Sequence, residues 1–223
     1  MFIIDAFLST TRIFSPLLAM ILIGYANTYI VRYYSGRVSA TYKKIIYTVG
    51  TPVHELSHLL LAAVSGQQIV DVKFLDLNNN DGSTGYTSFY INGESLFSII
   101  MVPFVATAPV LLSCLAFWIP AYMVTGIAEP YPALVEFATN YWFVPVAIFL
   151  LAVAPLSCLS VQDLRMALFF TGYLFAFTFI VLLIVGLFGG NVSFGHAVLG
   201  LAVYPLIVPI FSIITWSIFD ALS

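Results

Sequence analysis

The run His54-Glu55-Leu56-Ser57-His58 sits in the middle of an apolar stretch, Ile45 to Val64, and no other feature restricts this chain so tightly. Two imidazoles and a carboxylate within five residues cost a few kcal/mol each at membrane depth, so they mark a functional site by default. A membrane setting follows from composition. Of 223 residues, 61% are hydrophobic and 8% charged, whereas a soluble domain carries about 25% charged residues. The chain holds three His and four Glu. At those frequencies the five-residue pattern arises by chance on the order of once in a thousand such chains.

On a helix, positions i and i+4 share one face, so His54 and His58 can aim ring nitrogens at one ion. Glu55 is turned about 100° around the axis. From there it reaches a water on the ion without being a primary ligand, which is the place of a general base. A hydrolytic zinc site needs a third protein ligand and an open fourth position. Asp163 is the leading candidate, because Pro155 breaks one apolar span and Asp163 opens the next. Ser160-Val-Gln-Asp163 is also a capping box in outline, and the two roles are compatible. His196, at the start of the last apolar span, is the second candidate, with an interfacial position as its other reading. Glu129 and Glu136 fall in a connector and read as solvated. Cys114 and Cys158, the only cysteines, read as small buried hydrophobes rather than thiolate ligands.

In order, the sequence predicts an all-α polytopic membrane protein of about six transmembrane helices, forming one domain over residues 1–223. The first span covers about Ile13 to Val31, with Ser15-Pro16 as cap and first turn. The polar connection Arg32 to Lys44 holds four of the seven basic residues. The second span carries the His pair and is either kinked at Pro52 or restarted with Thr51 as its cap. Residues 67–92 differ in kind. Alternating, β-branched segments flank Asn80-Asp81-Gly82 and predict a β-hairpin. A calcium loop at Asp76-x-Asn78-x-Asn80 is excluded by Asp81 where Gly is needed and Thr87 where the bidentate Glu belongs. Further spans are expected over Ser95 to Val124, Tyr141 to Leu159, Ser160 to Phe188 and His196 to Phe219. The N-terminus, Met1 to Asp5, lacks a basic n-region and a cleavage site, so no signal peptide is expected.

These residues resemble the site-2 protease family of intramembrane zinc metalloproteases. The resemblance covers roughly residues 45 to 170: the His-Glu-x-x-His helix, a following hairpin, and a Pro-containing break leading to an Asp. It implies one Zn2+ held by His54, His58 and Asp163, with Glu55 as the base. It also implies a hairpin whose edge strand receives an unwound substrate segment by strand addition. Many family members carry Asn-x-x-Pro before Leu-Asp-Gly. Here Pro155 precedes Ser157, Ser160 and Gln162, and Leu164 follows Asp163. Those hydroxyl and amide groups are the candidate oxyanion or polar support.

The expected function is therefore a zinc-dependent intramembrane endopeptidase acting on membrane-protein substrates. The rival is an inactive protein of the same scaffold that binds membrane helices or serves as a complex subunit. A metal or proton transporter would need polar residues on several helices, which the sequence lacks. A net charge of −3 with seven Lys and Arg excludes nucleic acid. The expected partners are the lipid bilayer, a membrane-protein substrate, and an accessory membrane subunit or further copies of the chain. By the positive-inside rule the basic connection is cytoplasmic and the hairpin lies opposite. In the family the hairpin faces the cytosol, and an interfacial first segment or an exception to the rule would reconcile the two.

Overall fold

The first helix, α1 (Phe2–Ser35), runs unbroken for 34 residues with Pro16 inside it. The expected start at Ser15-Pro16 is thus overturned, and the reason is local. Pro16 has no N–H for the Arg12 carbonyl, and the Ser15 hydroxyl donates to that carbonyl instead (2.8 Å). The computed structural model describes residues 2–76, 85–127, 130–188, 190 and 205–223.

Helix α2 (Ala40–Val64) likewise continues through Pro52, so Thr51 does not restart it. It ends where Gly66 takes φ +72°, the left-handed conformation that terminates helices without a Cβ penalty. Strands β1 (Gln68–Lys73) and β2 (Tyr86–Tyr90) follow as an antiparallel pair, with an irregularity between Ile69 and Asp71. The hairpin is therefore present, while its expected turn at Asn80-Asp81-Gly82 lies outside the described residues. Gln67 ties the hairpin base down: its Nε2 donates to the Ser98 carbonyl (2.7 Å) and its Oε1 accepts from Asn92 N (3.0 Å).

The expected span Ser95 to Val124 is two helices, α3 (Leu96–Ala106) and α4 (Ala108–Thr125), parted at Thr107 with Pro109 at the start of the second. Helix α5 (Pro130–Ala138) occupies the expected connector. It is bent by 105° from α6 (Phe143–Val153) and the 3-10 turn Ala154–Leu156 that continues α6. Residues 157–160 are non-helical, and α7 (Val161–Leu187) begins where the sequence placed it. Helix α8 (Ile207–Ala221) covers the described part of the last expected span.

Among the described residues, α1, α4 and α7 are long and apolar enough to cross a membrane, or four spans if the bent pair counts as one. Six are not seen. Helix α2 has the length, but His54, Glu55 and His58 make it too polar to qualify. Its pattern is inverted relative to a soluble helix. Ile45, Val49, Leu56, Leu60 and Val64 are exposed, while Thr51, Glu55, Ser57 and His58 are buried. A polar face turned inward with an apolar face outward is the arrangement a membrane protein requires. The core runs through α1, α4, α5, α6, α7 and α8, around Leu17, Ile21, Val110, Phe117, Phe137, Leu150 and Val208.

Candidate metal centre

Each histidine of α2 is oriented by a backbone carbonyl at a helix break. His58 Nδ1 donates to the Val105 carbonyl (2.7 Å), which Pro109 cannot serve because it has no N–H. His54 Nδ1 donates to the Leu156 carbonyl (2.6 Å) at the end of the 3-10 turn. The amides that would otherwise reach Leu156 O are engaged elsewhere. Leu159 N bonds Gly24 O (3.2 Å) and Ser160 N bonds Asp163 Oδ2 (3.0 Å). With hydrogen on Nδ1 of both rings, both Nε2 atoms carry lone pairs, the tautomer that suits a metal ligand.

Those two Nε2 atoms face each other at 3.3 Å. Two lone pairs at that distance repel unless a cation lies between them. Around a tetrahedral ion with metal–nitrogen bonds of 2.0–2.1 Å, neighbouring donors lie about 3.3–3.4 Å apart. Asp163 supplies the third donor. Its Oδ2 is 4.0 Å from His58 Nε2, and one ligand atom from each of His54, His58 and Asp163 lies within 4.8 Å of the others. Asp163 is also half of a reciprocal capping box. Ser160 Oγ accepts from Asp163 N (3.0 Å), while Asp163 Oδ2 accepts from Ser160 N. Capping and proximity to the histidines therefore coexist, as the sequence suggested. Two nitrogens and a carboxylate oxygen at this spacing are a group that could hold a divalent metal ion.

Glu55 is buried on the same helix. Its Oε2 accepts a hydrogen bond from the Thr87 hydroxyl of β2 (2.9 Å), and its backbone carbonyl lies 3.1 Å from the same hydroxyl. The hairpin reaches this close because residue 85 is Gly. A Cβ there would lie 2.7 Å from Thr51 Cγ2, 2.9 Å from Lys73 O and 3.1 Å from Glu55 Cγ. His54, Glu55 and Gly85 line a cavity of about 360 Å³ bounded by α1, α2 and residues 156–164.

The remaining site residues named from the sequence are more scattered. Ser157 is fully buried and shares a hydrogen bond with Ser113 of α4 (2.7 Å). Ser160 serves the cap and lines the cavity, and Gln162 is exposed on the first turn of α7. Glu136 is exposed, whereas Glu129 and His196 lie outside the described residues. Cys114 and Cys158 are free thiols, and Cys158 lines the cavity.

Three contributors escaped the sequence reading: Thr87, and the pair Asn27 and Thr28 on α1. Asn27 Nδ2 donates to Ala154 O (2.8 Å) and Thr28 Oγ1 to Leu159 O (3.1 Å), so α1 holds the broken segment that orients His54. Polar side chains three and four residues past Gly24, inside an otherwise apolar span, were the available signal. Compared with protein-family models, curated proteins and solved structures, the chain matches none.

Proposed function

We propose that this chain is a multi-pass, zinc-dependent intramembrane endopeptidase of the site-2 protease type. One observation carries the reading. Two imidazole Nε2 lone pairs and the Asp163 carboxylate converge within 4.8 Å, beside a buried Glu55, on a helix whose outer face is apolar. The residues suit zinc in number, donor type and spacing. Zinc, when bound, supplies a Lewis acid that acidifies water and polarises a carbonyl.

The remaining chemistry belongs to the chain. Glu55 takes a proton from the attacking water and delivers it to the leaving amine. Thr87 holds Glu55 Oε2 and leaves Oε1 for that proton. The Val105 and Leu156 carbonyls keep both imidazoles in the ligating tautomer. The hairpin, docked on Glu55, brings its edge beside the cavity, where an extended substrate segment pairs with it.

The deciding variant is Glu55→Gln, which keeps the shape of the side chain and removes the base. Zinc content is expected to be unchanged, while cleavage of a reporter-tagged membrane-helix substrate falls by at least about a hundredfold. An unaltered biological effect at unaltered zinc content would make the chain a non-catalytic helix-binding subunit.

A further inference from the structure

The cavity beside the candidate metal centre has a cation in its lining. Arg32, in the last turn of α1, lines the same space as His54 and Glu55. The position of Arg32 relative to the centre is fixed. Thr28 Oγ1 bonds Leu159 O and Gly24 O receives Leu159 N, so α1 is locked against the segment that orients His54. Arg32 lies one helical turn beyond Thr28, about 6 Å further along the axis.

Two other basic residues have partners. Arg37 lies 3.8 Å from Asp220 and over the Tyr33 ring, and Lys73 pairs with Asp76. Among the described residues the Arg32 guanidinium has no ion pair and no hydrogen bond. Tyr25 and Tyr29 line the wall beside it, their hydroxyls 2.5 Å apart. Among the described residues Glu55 is the only acidic one lining the cavity. The lining thus combines the Arg32 cation and tyrosine hydroxyls with the buried carboxylate of Glu55.

We propose that Arg32 makes this cavity a subsite for an acidic side chain of the bound peptide, a few residues from the bond that Glu55 addresses. The proposal rests on the hydrolase reading and names the substrate class of that site. Arg presents a planar fork of donors that fits a carboxylate bidentately. The volume, near the lower end for ligand pockets, takes a short piece of peptide rather than a lipid with its chains.

The test uses synthetic membrane-helix peptides with a single Asp moved along the flank on the Arg32 side, each paired with its Asn isostere. Binding is measured to the full chain carrying Glu55→Gln, in phosphatidylcholine vesicles, and cleavage is measured with the unaltered chain. At one Asp position binding is expected to be about tenfold tighter than with Asn, the scale of one charge-assisted hydrogen bond. Arg32→Lys should weaken the preference without abolishing it, Arg32→Gln remove it, and Arg32→Glu turn it towards a Lys peptide. A preference that survives Arg32→Gln, or is absent at every position, overturns the proposal. So does its loss on adding phosphatidylglycerol, which would assign Arg32 to a lipid phosphate. Tight, Arg32-dependent binding without cleavage by the unaltered chain sinks the hydrolase reading and leaves the subsite standing.

Discussion

At the scale of single residues, Asp163 is asked to do two things with one carboxylate. Its Oδ2 both accepts from Ser160 N and lies nearest His58. Two substitutions separate the roles. Ser160→Ala removes the hydroxyl acceptor for Asp163 N and leaves the carboxylate. The expected cost is about 1 kcal/mol of stability, read by denaturant unfolding in detergent, with zinc content unchanged. Asp163→Asn keeps an oxygen for the cap and loses the anionic ligand. Zinc affinity is expected to fall at least about tenfold, since even residues that only orient a ligand cost 10–100-fold. Equal zinc loss in the two variants would reduce Asp163 to a cap. The histidines need no comparable division. Each spends Nδ1 on a carbonyl and keeps Nε2 for the ion, so the tautomer is decided before any metal arrives.

At the scale of elements, helix breaks make the carbonyls that the site consumes. Pro109 frees Val105 O for His58, and the end of the 3-10 turn frees Leu156 O for His54. The same substitution recurs away from the site. Pro155 lacks the N–H for Leu151 O, and Thr215 Oγ1 donates there (2.7 Å). The hairpin is fixed at its base by Gln67 and at its far end by Thr87 on Glu55. Thr87→Val removes the second tie while keeping the shape. Amide exchange across Tyr86–Tyr90 is expected to rise about tenfold, the value of a hydrogen bond to a charged group, with Thr87→Ser restoring protection. No change in exchange would mean that the tie does not dock the hairpin. Such ties explain how far the sequence could be read. The metal motif, the strands and the start of α7 rest on short-range signals: an i, i+4 pair, alternation and a capping box. Thr87 on Glu55, Asn27 on Ala154 and Thr28 on Leu159 join residues 32, 127 and 131 positions apart, beyond any local period. Pro16 misled for a related reason, because a serine one residue earlier repairs the helix it should have ended.

At the scale of the whole molecule, polarity is turned inside out around α2. Its buried stripe of Thr51, Glu55 and His58 faces the broken 3-10 segment and the α3–α4 junction, and its exposed stripe is Ile45, Val49, Leu60 and Val64. Close approach depends on Gly50, where a Cβ would lie 2.7 Å from Leu156 Cδ1. Twenty-five residues of helix extend about 37 Å, enough for the roughly 30 Å hydrocarbon core. Helix α2 should therefore cross the bilayer despite His54, Glu55 and His58 at its middle, placing the turn before it and the end of the hairpin on opposite sides. Gly36 and Gly93 report these two places, and an added Cβ at either meets nothing within 4 Å. In oriented vesicles, Gly36→Cys and Gly93→Cys should react with a membrane-impermeant maleimide from opposite faces, above the background of Cys114 and Cys158. By the positive-inside rule, Arg32, Arg37, Lys43 and Lys44 predict that Gly36 is the position labelled from the cytosolic face. Labelling of both positions from one face would make α2 a re-entrant segment, and the metal centre would then open to that side alone.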